Sequence, residues 1–449
     1  MSKQRIQLSD HFTYSRLLRF VLPCIGTMLF TSIYGIVDGL CVSNFVGKTA
    51  FAAVNLIMPV PMLVGTVGFM LGTGGSAIVG ITLGEGDQKK ADRYFTLFLL
   101  AALVSVSVLA VLGIVFLRPI AVLLGAKGEL LDYAVRYGRI LMVSLPTFAL
   151  QNMFQSFFVT AEKPHLGFWF TVGAGCTNMV LDVLMVGIWG WGVEGAAIAT
   201  FISQLVGGVL PVFYFIDRSN SSRLHLCKTS FYSKVLRDAC INGSSELMTN
   251  LSMSLVNILY NYQLLRLAGE NGVAAYGVIM YAAFLFVAVF VGYAVGSAPI
   301  VSFHYGARNH AEVHNLYSKS LRLIGVVAVV MTGISMVFIP YVSRIFVGYD
   351  ASLLALTNRA FRLYALSFLI MGFNVYASSF FTALGDGVTS ALISFLRTML
   401  FQVIAIIVLP MLLDIDGIWL AITAAELAAL AVSVTMFITK DKVFHYRKA

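Results

Sequence analysis

Charge is scarce in this chain. Asp, Glu, Lys and Arg make up 11% of its 449 residues, whereas a soluble domain carries about a quarter. With 59% of residues in the hydrophobic set, too little charge remains to cover a water-facing surface of this size. Long polar stretches are also missing, so no loop can fold as a separate domain. Cysteine is sparse: Cys24, Cys41, Cys176, Cys227 and Cys240 are odd in number, lack metal-ligand spacing and mostly sit in or beside apolar runs, which makes them small buried hydrophobes rather than a disulfide framework. The seven His are scattered and form no ligand pattern. No His-Glu-x-x-His, paired-Asp or Gly-x-Ser-x-Gly signature occurs, which argues against a membrane-embedded enzyme and for a protein without a cofactor. The Gly-rich run from Gly65 to Gly80 has no Lys after it and is not a phosphate loop; Gly68 and Gly72 stand at the spacing for close helix packing.

What the chain does have is apolar runs of about 20 residues, enough to cross the hydrocarbon core, repeated from end to end. The expected class is therefore an all-α membrane protein. Twelve transmembrane helices are expected at about 15–40, 51–81, 94–117, 132–159, 165–188, 193–216, 233–266, 272–303, 317–341, 355–382, 386–410 and 415–438. The N-terminus is polar and the first apolar run is too long for a signal-peptide core, so it is expected to persist as the first span. An even number of spans puts both termini on one side. With that side inside, 20 of the 30 Lys and Arg fall in inner segments, among them Lys3, Arg5 and Lys448, and nine fall outside, among them Lys48; Arg397 lies within a span. The bias places both ends in the cytoplasm of a multi-pass plasma-membrane protein. The net charge of +9 follows from this topology and does not point to nucleic acid. The partners expected are the lipid bilayer and a small molecule, with the chain acting as a monomer.

The second half repeats the first at a constant shift of 222 residues. Ala52, Ala53, Ile57 and Met58 fall on Ala274, Ala275, Ile279 and Met280; Ile78, Val79 and Gly84 fall on Ile300, Val301 and Gly306. Asn152, Ser156, Phe158, Thr160 and Ala161 fall on Asn374, Ser378, Phe380, Thr382 and Ala383, and Gly195 and Ala199 on Gly417 and Ala421. Six spans per copy is even, so the halves share one orientation as a parallel internal repeat. The division expected is an N-terminal six-helix bundle over 1–216, a cytoplasmic linker over 217–231 and a C-terminal six-helix bundle over 232–449. Paired repeats around a central cleft are a common build of secondary transporters.

An ionisable group in hydrocarbon costs at least about 2.5–3.5 kcal/mol and is by default a functional candidate. Asp38 lies deep in the first span. Asp182 lies in the fifth, with Asn178 one turn before it on the same helix face, and Thr200 in the sixth. Their shifted counterparts are Tyr260, Leu400, Ile404 and Ile422, none of them charged, so the first bundle is expected to own a polar site that the second lacks. Two carboxylates in one low-dielectric pocket do not both ionise comfortably, so one can carry a proton; carboxylate, amide and hydroxyl oxygens suit Na+ equally. Tyr34, one turn before Asp38, offers an aromatic face to an organic cation. Glu246, Asn250, Asn257 and Glu426 are candidates for a substrate cleft; interhelical hydrogen bonding is the plainer reading of the asparagines, Asn261 included, and for Glu426 a buried hydrogen bond and a role in coupling stand level. Arg397 would snorkel or pair with an acid.

The sequence resembles the multidrug and toxic compound extrusion (MATE) family over essentially its whole length. The resemblance is clearest in Ile36-Val37-Asp38, in Gly72 to Gly86, in Asn178-Met179-Val180-Leu181-Asp182 and in the run from Gly192 to Thr200. Size and short loops suggest the bacterial branch that includes MepA-like proteins. The resemblance implies two six-helix bundles in a V and export of cationic compounds by antiport with protons or sodium ions. It also implies a coupling-ion site at Asp38, Asn178, Asp182 and Thr200, which match the family's Asp of helix one, Asn and Asp of helix five and Thr of helix six. Some members use acids of helices seven and ten; here helix ten carries Asn374 and no acid, and Glu246 sits early in helix seven. A lipid-linked oligosaccharide flippase of the same wider superfamily is the alternative, although such a protein would need several cleft Arg or Lys where this chain has Arg397 alone.

Overall fold

The computed structural model describes residues 6–447, without the side chains of residues 39, 40, 42–44, 48 and 51. Lys3, Arg5 and Lys448, counted toward the charge bias, lie outside the described residues, as does the side chain of Lys48. No strand occurs among the described residues, and helix follows helix. In the first half the spans are Tyr14–Phe45, Pro59–Gly84, Gln88–Leu123, Gly128–Thr160, Pro164–Asp182 continuing through a π-helical turn Val183–Ile188, and Gly192–Gly208 continuing through Leu210–Ile216. In the second half two runs are too long to be single spans. Ser244–Gly306 has 63 residues and would reach about 94 Å, roughly three times the hydrocarbon core. It breaks at Gly269 (φ 61°), and the run ending at Phe444 breaks at Asp414 (φ 48°). Shifted back by 222, these are Gly47 (φ 101°) and Gly192 (φ 60°), which separate spans in the first half. Both copies thus turn at the same places, on residue types that tolerate the left-handed region.

Among the described residues eight helices are long and apolar enough to cross a membrane, and the pair Ala351–Ala365 and Phe368–Ala383, bent by 45°, makes a ninth span. The breaks at Gly269 and Asp414 divide two of these runs, and Gly128–Thr160, 33 residues long, completes twelve. Two expected spans have different limits. The second is preceded by a separate short helix, Lys48–Ile57, because Pro59 and Pro61 start a new helix. The seventh does not begin at 233: Ser233–Asn242 is a helix of its own, ended at Gly243. A side chain at Gly243 would collide with the Met70 carbonyl, so the backbone passes directly over span two. The Asn242 amide, which donates to Thr382 O at 2.8 Å, ties this joint to span ten.

The spans form two bundles of six that meet at the face where span one begins and span twelve ends. There spans two and eight cross at equivalent glycines. A Cβ at Gly84 would strike the Phe303 carbonyl and one at Gly306 the Ile81 carbonyl, and each pair is related by the 222-residue shift. One apolar cluster fills this end and draws on both bundles, including Phe95, Phe154 and Phe158 from the first and Tyr376, Phe380 and Phe437 from the second. Toward the far face the cores are separate. Ala53, Tyr137 and Met142 belong to a cluster confined to the first bundle, and Tyr260, Phe361 and Trp419 to one confined to the second. A shared core at one end and split cores at the other make the V.

Candidate functional site

In the first bundle the acids are brought together by helix spacing and one close approach. Phe30, Tyr34, Asp38 and Cys41 lie along one face of span one; Gly175, Asn178 and Asp182 lie along one face of span five. The two faces pack because position 175 has no side chain. A Cβ there would lie 2.5 Å from Phe30 Cε1 and 3.0 Å from Tyr34 Cδ1. The result sets the carboxyl groups of Asp38 and Asp182 within hydrogen-bonding reach of each other, with Tyr34 one turn before Asp38. Asn178 Nδ2 points at Thr200 Oγ1 at 3.5 Å, and the Thr200 hydroxyl donates to Ala196 O at 3.0 Å. Immediately after Asp182 the helix widens into its π turn, a feature frequent at functional sites.

This pocket is rich in acceptors. Asp182 is fully buried, yet neither of its oxygens receives a hydrogen bond from the described residues; Asp38 Oδ1 and Asn178 Oδ1 are equally without donors. Buried polar atoms are ordinarily paired, and leaving one unmet costs about 1–3 kcal/mol. Four such oxygens in one place call for donors or positive charge, which a buried water, a proton shared between the carboxyls or a small hard cation supplies.

The second bundle differs from expectation. It encloses a cavity of about 320 Å³ bounded by spans seven, eight, ten, eleven and twelve, with Thr73, Ser76 and Ser156 of the first bundle at one end. Glu246, Asn257 and Glu426 line it, and Tyr34 and Asn250 do not. The Asn250 amide is turned back onto its own helix, donating to Glu246 O at 2.9 Å. Asn257 Oδ1 accepts from the Tyr276 hydroxyl at 2.9 Å, and the Tyr276 ring stacks on Tyr260 at 5.0 Å.

The expectation that the second bundle lacks a polar site is also corrected. Arg397 Nε donates to Glu426 Oε1 at 2.8 Å, Asn374 Nδ2 donates to Glu426 Oε2 at 2.7 Å, and the Ser433 hydroxyl donates to Asn374 Oδ1 at 2.8 Å. Glu426 is fully buried and Arg397 keeps 13% of its side chain accessible. The comparison of four shifted positions missed this network because it stands elsewhere in the repeat. Arg397 shifts onto Gly175, Glu426 onto Gln204 and Asn374 onto Asn152.

Two parallel six-helix bundles, joined at one face and parted at the other, with buried acids in one and a cavity in the other, define a polytopic membrane transporter. The chain belongs to the MatE family: the family model matches residues 23–184 and again 247–408, one match in each bundle. Relatives include the multidrug export protein MepA of Staphylococcus saprophyticus, 20% identical with 96% of this chain and 95% of that protein covered. The MepA protein of Staphylococcus aureus is 21% identical at the same coverage. Among solved structures, an outward-facing multidrug resistance MATE family transporter of the MOP superfamily superposes with a TM-score of 0.92 at 23% identity, covering 99% of each chain. A MOP superfamily transporter of Pyrococcus furiosus, described by the reverse polarity of its binding pocket, superposes with a TM-score of 0.89 at 23% identity, over 98% of this chain and 99% of that one.

Proposed function

We propose that this protein exports amphipathic organic cations from the cell by antiport with protons or sodium ions through alternating access. The observation that carries the reading is the set of four donor-less oxygens on Asp38, Asn178 and Asp182. Relatives similar over nearly the whole chain are multidrug export proteins, which supports the substrate class. In the proposed cycle the ionised acids favour binding of an organic cation on the inner side. After the bundles reorient, an ion from outside neutralises Asp38 and Asp182, the cation loses its attraction and leaves, and the ion travels inward down its gradient. Thr200 and the Asn178 carbonyl complete the oxygen set when the ion is sodium. The 18 Met and 34 Phe of the chain supply deformable and flat apolar surface, which suits broad specificity.

The face where span one begins and span twelve ends is the cytoplasmic one in this reading, and the conformation described is open toward the outside. Support comes from how that face is closed. Glu162 accepts from Leu8 N–H at 2.9 Å and pairs with Arg223 of the linker at 2.5 Å, while the Arg223 guanidinium lies 4.8 Å from the Phe303 ring centre across the junction. Glu312 of span nine accepts from Phe12 N–H at 2.8 Å and faces His11 Nδ1 at 2.6 Å. Residues before span one thus strap the two bundles together, and alternation requires these contacts to part. The functional units are 1–216, 217–231 and 232–449, which move as bundle, linker and bundle. In everted vesicles, inward movement of a cationic dye should follow an imposed pH or sodium gradient and collapse when that gradient is dissipated. Dye movement indifferent to both gradients would reject the antiport reading.

A further inference from the structure

We propose that Tyr446 is a positioning residue for the closed inner face: lodged among rings at the end of the second bundle, it holds the start of span nine where Glu312 grips the strap. This rests on the reading of that face as the one that parts during transport, and it names what keeps the strap in place. Span twelve ends at Phe444, and His445 takes a left-handed turn (φ 52°) that sends the chain back into the bundle as a hook. Asp441 fixes the turn, its Oδ1 accepting from the N–H groups of Tyr446 at 3.1 Å and of Arg447 at 2.7 Å. The Tyr446 side chain is fully buried. Its ring centre lies 5.2 Å from that of Tyr317 and 5.1 Å from that of Phe380, and its hydroxyl donates to Phe437 O at 2.8 Å.

The first bundle closes in the same way. Shifted back by 222 residues, Tyr446 falls on Leu224, and Tyr317, Tyr376, Phe380 and Phe437 fall on Phe95, Phe154, Phe158 and Phe215. The Phe215 ring centre is 5.0 Å from that of Phe95, 5.5 Å from that of Phe154 and 5.1 Å from that of Phe158. Leu224 is fully buried, and Phe215 O, the counterpart of Phe437 O, accepts from Leu226 N–H at 2.9 Å. The last carbonyls of a helix need donors from outside it. One copy takes its donor from the linker backbone and the other from a tyrosine hydroxyl. In each half the segment after the last span folds back as a stopper.

Each stopper stands behind one anchor of the strap. Arg223, next to Leu224, pairs with Glu162, which accepts from Leu8 N–H. Tyr446 acts through span nine, His310–Val347. On that helix His314 and Tyr317 meet the hook, and His314 Nδ1 donates to Tyr446 O at 2.9 Å. Glu312, Asn315 and Lys319, spaced three and four residues apart, form a different face and meet the strap. Glu312 Oε1 accepts from Phe12 N–H at 2.8 Å, and Phe12 O accepts from Asn315 Nδ2 at 3.1 Å and from Lys319 Nζ at 2.7 Å. The inner end of span nine is thus gripped from two sides, and its seat against the hook sets where the anchor for Phe12 stands. Packing alone explains why Tyr446 is buried, but it gives no reason for Tyr446 to matter more to Phe12 than to Leu8.

Amide hydrogen exchange, read residue by residue on the purified full-length protein, tests this, because Leu8 and Phe12 carry the two anchored N–H groups of the strap. In Tyr446→Ala, exchange at Phe12 should rise on the order of tenfold and at Leu8 by less than about threefold. The amides of Ala351–Ala365, at the far end of the same bundle, should stay as in wild type. Tyr446→Phe keeps the ring and should leave Phe12 within about threefold of wild type. Leu224→Ala should give the mirror result, with Leu8 rising more than Phe12. If Tyr446→Ala does not fold, His314→Ala removes only the tether to the hook, and Phe12 should again rise more than Leu8. A uniform rise at Leu8, Phe12 and Ala351–Ala365 means that Tyr446 serves only the packing and overturns the proposal, as does unchanged protection of Phe12. Wild type that protects neither Leu8 nor Phe12 would instead remove the reading of this face as closed, and the proposal with it.

Discussion

The two bundles descend from one pattern, and a single position separates their characters. Where the first has Gly175, the second has Arg397. Glycine lets span one settle onto span five, so Phe30 and Tyr34 pack directly over the helix and Asp38 closes on Asp182. Arginine in the equivalent place needs a counter-charge, found in Glu426, and space, found in the cavity. The first bundle is therefore tight and leaves buried oxygens without donors, while the second is hollow and internally neutralised around Glu426. A small ion suits the one and a larger amphipath the other. A repeat fold tolerates such divergence because the inter-bundle joint, where Gly84 and Gly306 mirror each other, does not involve either site.

Removing an acid from the tight bundle should have the largest effect. Asp182→Asn or Asp38→Asn is expected to lower cationic-dye export by on the order of 100-fold at unchanged membrane expression, because a charged acceptor is lost from the exchange. Resistance assays beside a quantitative immunoblot check this, and normal resistance in either variant would break the contrast between bundles. Next is Glu426→Gln alone, which strands the Arg397 charge inside the second bundle and should destabilise the protein by about 3–5 kcal/mol. Adding Arg397→Met should restore most of that loss in a thermal-melt series, since the first bundle is stable with neutral residues at those positions. Gly175→Ala comes third: a methyl 2.5 Å from Phe30 Cε1 forces span one outward, with about 1–3 kcal/mol lost and a matching fall in export. The smallest effect belongs to the strap. Glu312→Gln keeps an acceptor for Phe12 N–H and loses only the charge facing the largely exposed His11, so the melting shift should correspond to at most about 1 kcal/mol. Spin-label distances across the terminal face should nevertheless lengthen in a larger share of molecules.

The fold was legible because lipid imposes a simple rule, a run of about 20 apolar residues per crossing, and the 222-residue shift then paired the crossings. The clustering of Asp38, Asn178 and Asp182 was legible for the same reason: an acid in such a run stands out, and Asn178 and Asp182 share a face by helical spacing. The separate helix Ser233–Asn242 was not, since its end is fixed by Gly243 passing over the Met70 backbone, a contact far off in sequence. The Arg397–Glu426–Asn374 network was legible only as the need of Arg397 for an acid, because its members come from three spans and shift onto neutral residues of the first half. Asn250 and Asn257 stand two turns apart on one span, and only packing decides that one turns back onto its helix while the other reaches the cavity.

The most direct test of the account is ion displacement from the purified protein. In weakly buffered medium, or in low sodium with a sodium electrode, adding rhodamine 123 to wild type should release protons or sodium ions in proportion to dye bound. The variant carrying both Asp38→Asn and Asp182→Asn should release neither. Equal release from that variant would mean that the exchanged ion sits elsewhere, and the assignment of coupling to the first bundle would be wrong.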